Sequence, residues 1–177
     1  MLELKSKYFK SGSDIDYIIE QGFQAFKDPH GFDSLEKYKD FLESFAQNLL
    51  VGMVMAYDDE VPVGFALFSP IPKHEHERYL TASLMYPDID LKIKSMVIEM
   101  IVVEEKHRRK GYGEDLVNQV IKELKKENVG HIYATCWNGN NKESYNLFQK
   151  CGFRKLMDVP GMYADKSGGI VVFKELF

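Results

Sequence analysis

The sequence predicts an α/β fold built on a mixed sheet, and three observations carry that expectation. Met96-Val97-Ile98-Glu99-Met100-Ile101-Val102-Val103 is a near-continuous apolar run rich in β-branched residues, which marks a strand buried on both faces. A glycine-containing turn, Arg108-Arg109-Lys110-Gly111-Tyr112-Gly113, joins that strand to a helix whose Leu116, Val117, Val120, Ile121 and Leu124 share one face. Before and after this unit, short apolar runs alternate with tight turns and helical periodicity, so both hairpins and a parallel crossover are expected.

Taken in order, Leu2 to Phe9 alternates loosely and reads as a strand, broken by Ser11-Gly12-Ser13. Ser13 suits the N-cap of a helix carrying Ile15, Ile18, Ile19 and Phe23, and Pro29-His30-Gly31 reads as the loop after it. Asp33-Ser34-Leu35-Glu36 looks like a capping box with Asp33 in the Ser/Thr role, opening a helix through Leu35, Tyr38, Phe41, Leu42 and Phe45. Leu50 to Tyr57 and Val61 to Phe68 are strands joined by the acidic turn Asp58-Asp59-Glu60, hence a hairpin. From residue 70 to 95 the pattern dissolves into a segment with Pro70, Pro72, His74, His76, Tyr79, Tyr86 and Pro87. A stretch this long inside a compact domain is usually functional or mobile.

Beyond the central strand, turn and helix, His131 to Cys136 is a strand expected to run parallel to the central one through a right-handed crossover. Trp137 to Asn141 is a loop, Lys142 to Cys151 a short helix, and Gly152 its stop. Phe153 to Met157 and Ile170 to Phe173 are the last strands, expected to be antiparallel. No repeat, low-complexity tract or linker divides the chain, so residues 1–177 read as one domain.

Composition narrows the function classes. Hydrophobic residues make up 45% and charged residues 28%, ordinary for a soluble globular protein. A net charge of −4 argues against a non-specific nucleic-acid binder, whose affinity comes mainly from Lys and Arg. Cys136 and Cys151 make no disulfide framework, and Met1-Leu2-Glu3-Leu4-Lys5 does not begin a signal peptide, so the expected location is cytoplasmic. No apolar stretch approaches a membrane span.

The turn from Arg108 to Gly113 carries the chemistry. Its glycines let the backbone fold tightly and leave no Cβ against a ligand, and the N–H groups of a helix start point out of it. With three basic side chains and His107 nearby, it is an anion site suited to a phosphate-bearing ligand. The dinucleotide fingerprint fails because Leu116 stands where its third glycine belongs. The G-x-x-x-x-G-K-[ST] loop fails too, because Gly111 precedes Tyr112 and Gly113 precedes Glu114. What remains is Arg-x-x-Gly-x-Gly on Arg108, Gly111 and Gly113, which resembles the pyrophosphate loop of the GNAT superfamily of acetyl-CoA-dependent N-acetyltransferases. Ile101 to Arg108 resembles that family's strand and turn, with Glu105 where Pro is frequent.

A second match runs from Asn141 to Phe153, resembling the family's pattern of Asn, a small residue three later (Ser144), an aromatic, then Gly-Phe. The two matches cover roughly residues 96 to 153, and the order of elements extends the resemblance weakly over the whole chain. The resemblance implies a mixed, mostly antiparallel sheet flanked by helices on both faces, with residues 70–95 as an insertion or lid on the acceptor side. It also implies acetyl-CoA as cosubstrate and a primary amine as acceptor. Arg108, Arg109, Lys110, Gly111, Tyr112 and Gly113 would hold the pyrophosphate, and Ile101, Val102 and Val103 would pair with the pantetheine. The Val103 N–H would serve the thioester oxygen, and Asn141 and Phe148 would touch the cofactor. Relatives are often dimers, so a homodimer is open; no nucleic acid or membrane partner is expected.

Phe148 falls where many members have the Tyr that protonates the departing thiolate. Tyr145, one turn earlier, could replace it or could be a core aromatic; otherwise the thiolate leaves unassisted. Glu99, in the middle of a buried strand, must be paired, solvated by a cleft or protonated. It reads either as a general base working through water, or an anchor for the acceptor's ammonium, or as a structural carboxylate. Cys136 has no clear partner as a nucleophile. His74-Glu75-His76 lacks a third ligand, so no metal is expected. The competing readings are an acyl-CoA-binding regulatory module without turnover, supported by Phe148, and a nucleotide-binding protein. The acceptor and the acyl-chain length are not named by the sequence.

Overall fold

The computed structural model describes residues 2–8, 13–30, 32–48, 51–71, 93–138, 142–163 and 166–177. Asn141 and nearly all of the 70–95 segment, including His74, His76, Tyr79 and Tyr86, lie outside them. The chain runs β1 (Leu2–Tyr8), α1 (Ser13–His30), α2 (Leu35–Asn48), β2 (Gly52–Asp58), β3 (Val61–Pro70), β4 (Ser95–Val103), a 3₁₀ turn (Glu105–His107), α3 (Tyr112–Lys126), β5 (His131–Trp137), α4 (Glu143–Lys150), β6 (Arg154–Val159) and β7 (Gly169–Glu175). The described strands form one sheet in the order β1-β2-β3-β4-β5-β7-β6. Neighbours are antiparallel except β4 and β5, which α3 joins as a parallel pair.

Helices cover both faces. Leu116, Val117, Val120 and Leu124 of α3 and Phe148 of α4 pack on Val54, Ala66, Met96, Ile98, Ile132 and Val172. On the other face Ile18, Ile19, Tyr38 and Leu42 of α1 and α2 pack on Met53, Met55, Phe65, Leu67, Met100 and Val102. The stripe read from the α3 sequence is thus the buried stripe, and α1 and α2 close the opposite side.

Local chemistry explains the ends of the elements. Asp59 (φ 48°) and Glu60 (φ 68°) make a two-residue turn with both φ positive, the hairpin type whose twist matches paired strands. At the end of α4, Gly152 (φ 82°) lets the Phe153 N–H reach Phe148 O and its own N–H reach Gln149 O, a Schellman closure. The Phe148 and Phe153 rings then meet edge to face at 4.9 Å.

Two boundaries differ from expectation. Helix α1 continues through Pro29 and His30 rather than ending in a loop there. The start of α2 is capped by Ser34, not Asp33: Ser34 Oγ accepts from the Lys37 N–H at 3.2 Å, and the Tyr38 N–H closes on Ser34 O. Asp33 lies one residue earlier and pairs with Lys37 Nζ at 2.6 Å, which holds its carboxyl below the usual carboxylate range. Ser34→Ala should therefore lower stability by about 1 kcal/mol, read as a shift in the urea midpoint. Asp33→Ala should leave the midpoint nearly unchanged, because its ion pair is fully exposed.

Candidate active site

The site begins where two strands part. β4 pairs with β5 only from Ser95 to Ile98, against His131 to Ala134. Beyond Ile98, β4 keeps its bonds to β3, while Thr135 to Trp137 of β5 keep theirs to β7. A gap therefore opens between Glu99–Val103 and Thr135–Trp137. On β4 the parting coincides with a bulge: Leu67 faces Met100 and Phe68 faces Ile98, so Glu99 is the extra residue. The bulge also resets the alternation. Met96 and Ile98 face α3, whereas Met100 and Val102 face α1 and α2.

Backbone alternation then aims the amides. The Glu104 N–H donates to Val63 O on β3. Alternate residues of an antiparallel strand bond to the same neighbour, so the Val102 amide also faces β3. The amides of Ile101 and Val103 face the gap. Val102 accordingly offers the gap neither its amide nor its side chain, which is buried beneath α1 and α2. Val102 therefore contributes packing beneath α1 and α2.

The basic turn lies at the mouth of the gap. Arg109 (φ 61°) and Gly111 (φ 91°) bend the backbone through left-handed conformations into α3. The Asp115 N–H is the first to reach a helix carbonyl, on Gly111 O, and no side chain caps the helix start. Four amides, Gly111 to Glu114, are thus left pointing out of the turn. Arg108, Arg109 and Lys110 are exposed around them. Arg108 Nε also donates to Val103 O at 3.1 Å, tying the turn to the strand end. A Cβ on Gly113 would stand 3.3 Å from Leu147 Cδ2 and 3.9 Å from Val103 Cγ2, so β4, α3 and α4 converge there.

Tyr112 fixes the same helix start to the β2–β3 hairpin by donating to Asp58 Oδ2 at 3.0 Å. That hydroxyl lowers the Asp58 pKa, and the carboxylate raises that of Tyr112. Glu104, at the exit of β4, accepts from Lys106 at 3.0 Å. Tyr17 of α1 lies beside it, and burial first, then the Glu104 carboxylate, push its phenol pKa well up.

The expected catalytic groups are placed as follows. The Glu99 carboxyl accepts from Ser69 Oγ at 2.7 Å. Ser69 continues the face of Phe65 and Leu67, so this carboxyl lies on the α1–α2 side of the sheet. Tyr145 is half-buried on α4, and its hydroxyl accepts from Gln149 Nε2 at 2.9 Å. Phe148 is only 2% exposed and packs on Phe153. Its ring belongs to the core. Burial pushes the Cys136 thiol up to about 12 and the Cys151 thiol up to about 11, so neither supplies a thiolate near neutral pH. Among the described residues no cluster of three His, Cys, Asp or Glu could hold a metal ion, and no helix is long and apolar enough to cross a membrane.

Sequence reasoning missed Ser69, because nothing in Phe68-Ser69-Pro70 announces a partner for a carboxylate thirty residues on. It placed Tyr38 on the apolar face of α2 but missed its bond: the hydroxyl donates to Met100 Sδ at 3.3 Å and clamps the residue after the bulge to α2.

A model of the acetyltransferase (GNAT) family matches residues 15–153. The chain belongs to the GNAT acetyltransferase family. Its fold is similar to a ribosomal-protein-alanine N-acetyltransferase from Brucella melitensis, at TM-score 0.70 and 17% identity over 97% of this chain and 99% of that one. An N-acetyltransferase from Staphylococcus aureus Mu50 superposes at TM-score 0.68 and 17% identity, over 99% of each chain. A GNAT family acetyltransferase from Elizabethkingia anophelis, with acetyl-CoA bound, superposes at TM-score 0.68 and 16% identity over 97% of each chain. Comparison with curated proteins finds no match. At these identities the superpositions establish the shared fold.

The Tyr112–Asp58 bond gives a prediction with a definite sign. The Asp58 pKa is lowered in the folded chain, so its contribution to stability is present above its unfolded pKa and is lost as pH falls through the folded one. Tyr112→Phe should raise the Asp58 pKa in a carboxyl-detected NMR titration. Its loss of stability relative to the parent should be present at pH 7 and vanish in strong acid.

Proposed function

We propose that this GNAT-family chain is an N-acetyltransferase that moves the acetyl group of acetyl-CoA to a primary amine by direct attack in a ternary complex. The observation that carries the reading is the parting of β4 from β5 with the uncapped basic turn at its mouth. The amides of Gly111 to Glu114 and the side chains of Arg108, Arg109 and Lys110 suit a pyrophosphate. The inward amides of Ile101 and Val103 suit an extended amide-bearing arm laid along β4 as an added strand. The acetyl-CoA in the Elizabethkingia relative supports the same choice of cosubstrate.

In this reading the Val103 N–H donates to the thioester oxygen as negative charge grows there. Glu99 takes a proton from the acceptor's ammonium, through water, or anchors it. The neutral amine attacks the carbonyl carbon, a C–N bond forms, the C–S bond breaks, the thiolate of CoA departs, and the nitrogen gives up its remaining extra proton to solvent. Tyr145 stands as a source for its proton, because its hydroxyl oxygen accepts from Gln149 and its own proton is available to donate. Release of the thiolate to solvent is the other route. The acceptor is defined here only as a primary amine.

One observation favours a second reading. Phe148, buried and without a hydroxyl, suits an acyl-CoA-binding regulatory module that no longer turns over. Calorimetric titration separates the cofactor question from the catalytic one. Acetyl-CoA should bind in the micromolar range, corresponding to about −8 kcal/mol, and ATP and NAD should not. A panel of amines scored by thiol release should then show turnover. Glu99→Gln should lower kcat by about a hundredfold or more while leaving acetyl-CoA affinity unchanged. Binding without thiol release for any amine would favour the regulatory module, and ATP binding above acetyl-CoA would overturn both.

A further inference from the structure

Glu99 interrupts the ladder at a bulge, where a side chain is less constrained by its neighbours than in a regular strand. A carboxyl there needs something to hold its orientation. The fully buried Ser69 is placed to do so. Its Oγ lies 2.7 Å from Glu99 Oε1 and 3.0 Å from the Pro70 carbonyl oxygen. A serine hydroxyl has one proton and two lone pairs, so it can donate to just one of these oxygens at a time.

This geometry serves both protonation states of the carboxyl. When Glu99 is ionised, Ser69 donates to it across the short contact. When Glu99 has taken a proton, the acid O–H donates to Ser69 Oγ, and the serine proton turns to Pro70 O. The short contact between Ser69 Oγ and Glu99 thus serves both states, the serine proton turning to Pro70 O when the acid donates. The Tyr38–Met100 contact holds the adjoining strand residue from the α2 side, so the bulge is fastened on both flanks.

We infer that Ser69 is a positioning residue for Glu99, keeping its carboxyl in one orientation while it takes a proton from the acceptor and gives it up. This rests on the role given to Glu99 above. It implies that the loss on removing Ser69 is carried through Glu99 alone.

The test uses the full chain with acetyl-CoA and the amine found by thiol release. Ser69→Ala should lower kcat about tenfold and leave the KM for acetyl-CoA within about twofold. In a Glu99→Gln background the same change should cost nothing further. Ser69→Thr, which keeps the hydroxyl, should recover much of the loss. A readout without turnover comes from infrared spectroscopy, where the Glu99 carboxyl band is the one that disappears in Glu99→Gln. Ser69→Ala should shift that band; if this variant does not fold, Ser69→Cys, a weak donor, replaces it. An unmoved band, or losses that multiply in the double variant, overturns the inference. A fully active Glu99→Gln overturns the role of Glu99 and with it the catalytic meaning of Ser69, and the two failures are thereby distinguishable.

Discussion

Strand β4 can bond to β5 over just four residues, and the rest of the site follows from that limit. A parallel pair that stayed in register to the end of β4 would consume the inward amides of Ile101 and Val103 and fill the space beside them. Parting leaves polar backbone exposed in the middle of a sheet, which is costly unless a ligand or water satisfies it. The molecule tolerates the gap because β4 is held on its other edge by β3 from Pro70 back to Gly64. The bulge at Glu99 contributes by turning the outer half of the strand, so that Met100 and Val102 are buried beneath α1 and α2. One inserted residue thus exchanges the faces of the strand and leaves a carboxyl at the point of exchange.

The same logic explains why the basic turn stands where it does. Helix α3 must cross back over the sheet to deliver β5 parallel to β4, so its start lies at the end of β4. Arg108 Nε on Val103 O and Tyr112 on Asp58 tie that start to two strands. Leu116, Val117, Val120 and Leu124 are fully buried and anchor the helix along its length. The uncapped amides are therefore held by a rigid element whose stability comes from packing elsewhere. That separation lets the helix start go without a side-chain cap.

Much of this was legible in the sequence, for identifiable reasons. The β-branched run at 96–103, the two glycines of the turn and the helical spacing of Leu116 to Leu124 are local signals, and each element formed where its signal lay. Gly152 and the Asp58 to Glu60 turn likewise act through their own backbone. What was not legible depends on register. A bulge is a relation between two strands, so Glu99 as the inserted residue, the inward-facing amides and the side on which Val102 is buried could not be read from β4 alone. Ser69 and Tyr38 matter through partners thirty and sixty-two residues away. Phe148 shows another case: its packing against Phe153 depends on the Gly152 closure, which folds the chain back on α4.

The order of strands has a consequence for how the chain is made. β7 follows every other described strand along the chain, yet it lies between β5 and β6. Until it is added, β5 has no partner beyond Ala134, and β6 has none at all among the described strands. Synthesis proceeds from the N-terminus at roughly 5–20 residues per second, so both strands are made before their shared neighbour. The wall of the gap formed by Thr135 to Trp137 is built only when that neighbour arrives. The side of the gap formed by Thr135 to Trp137 therefore depends on a strand made later than every other described strand.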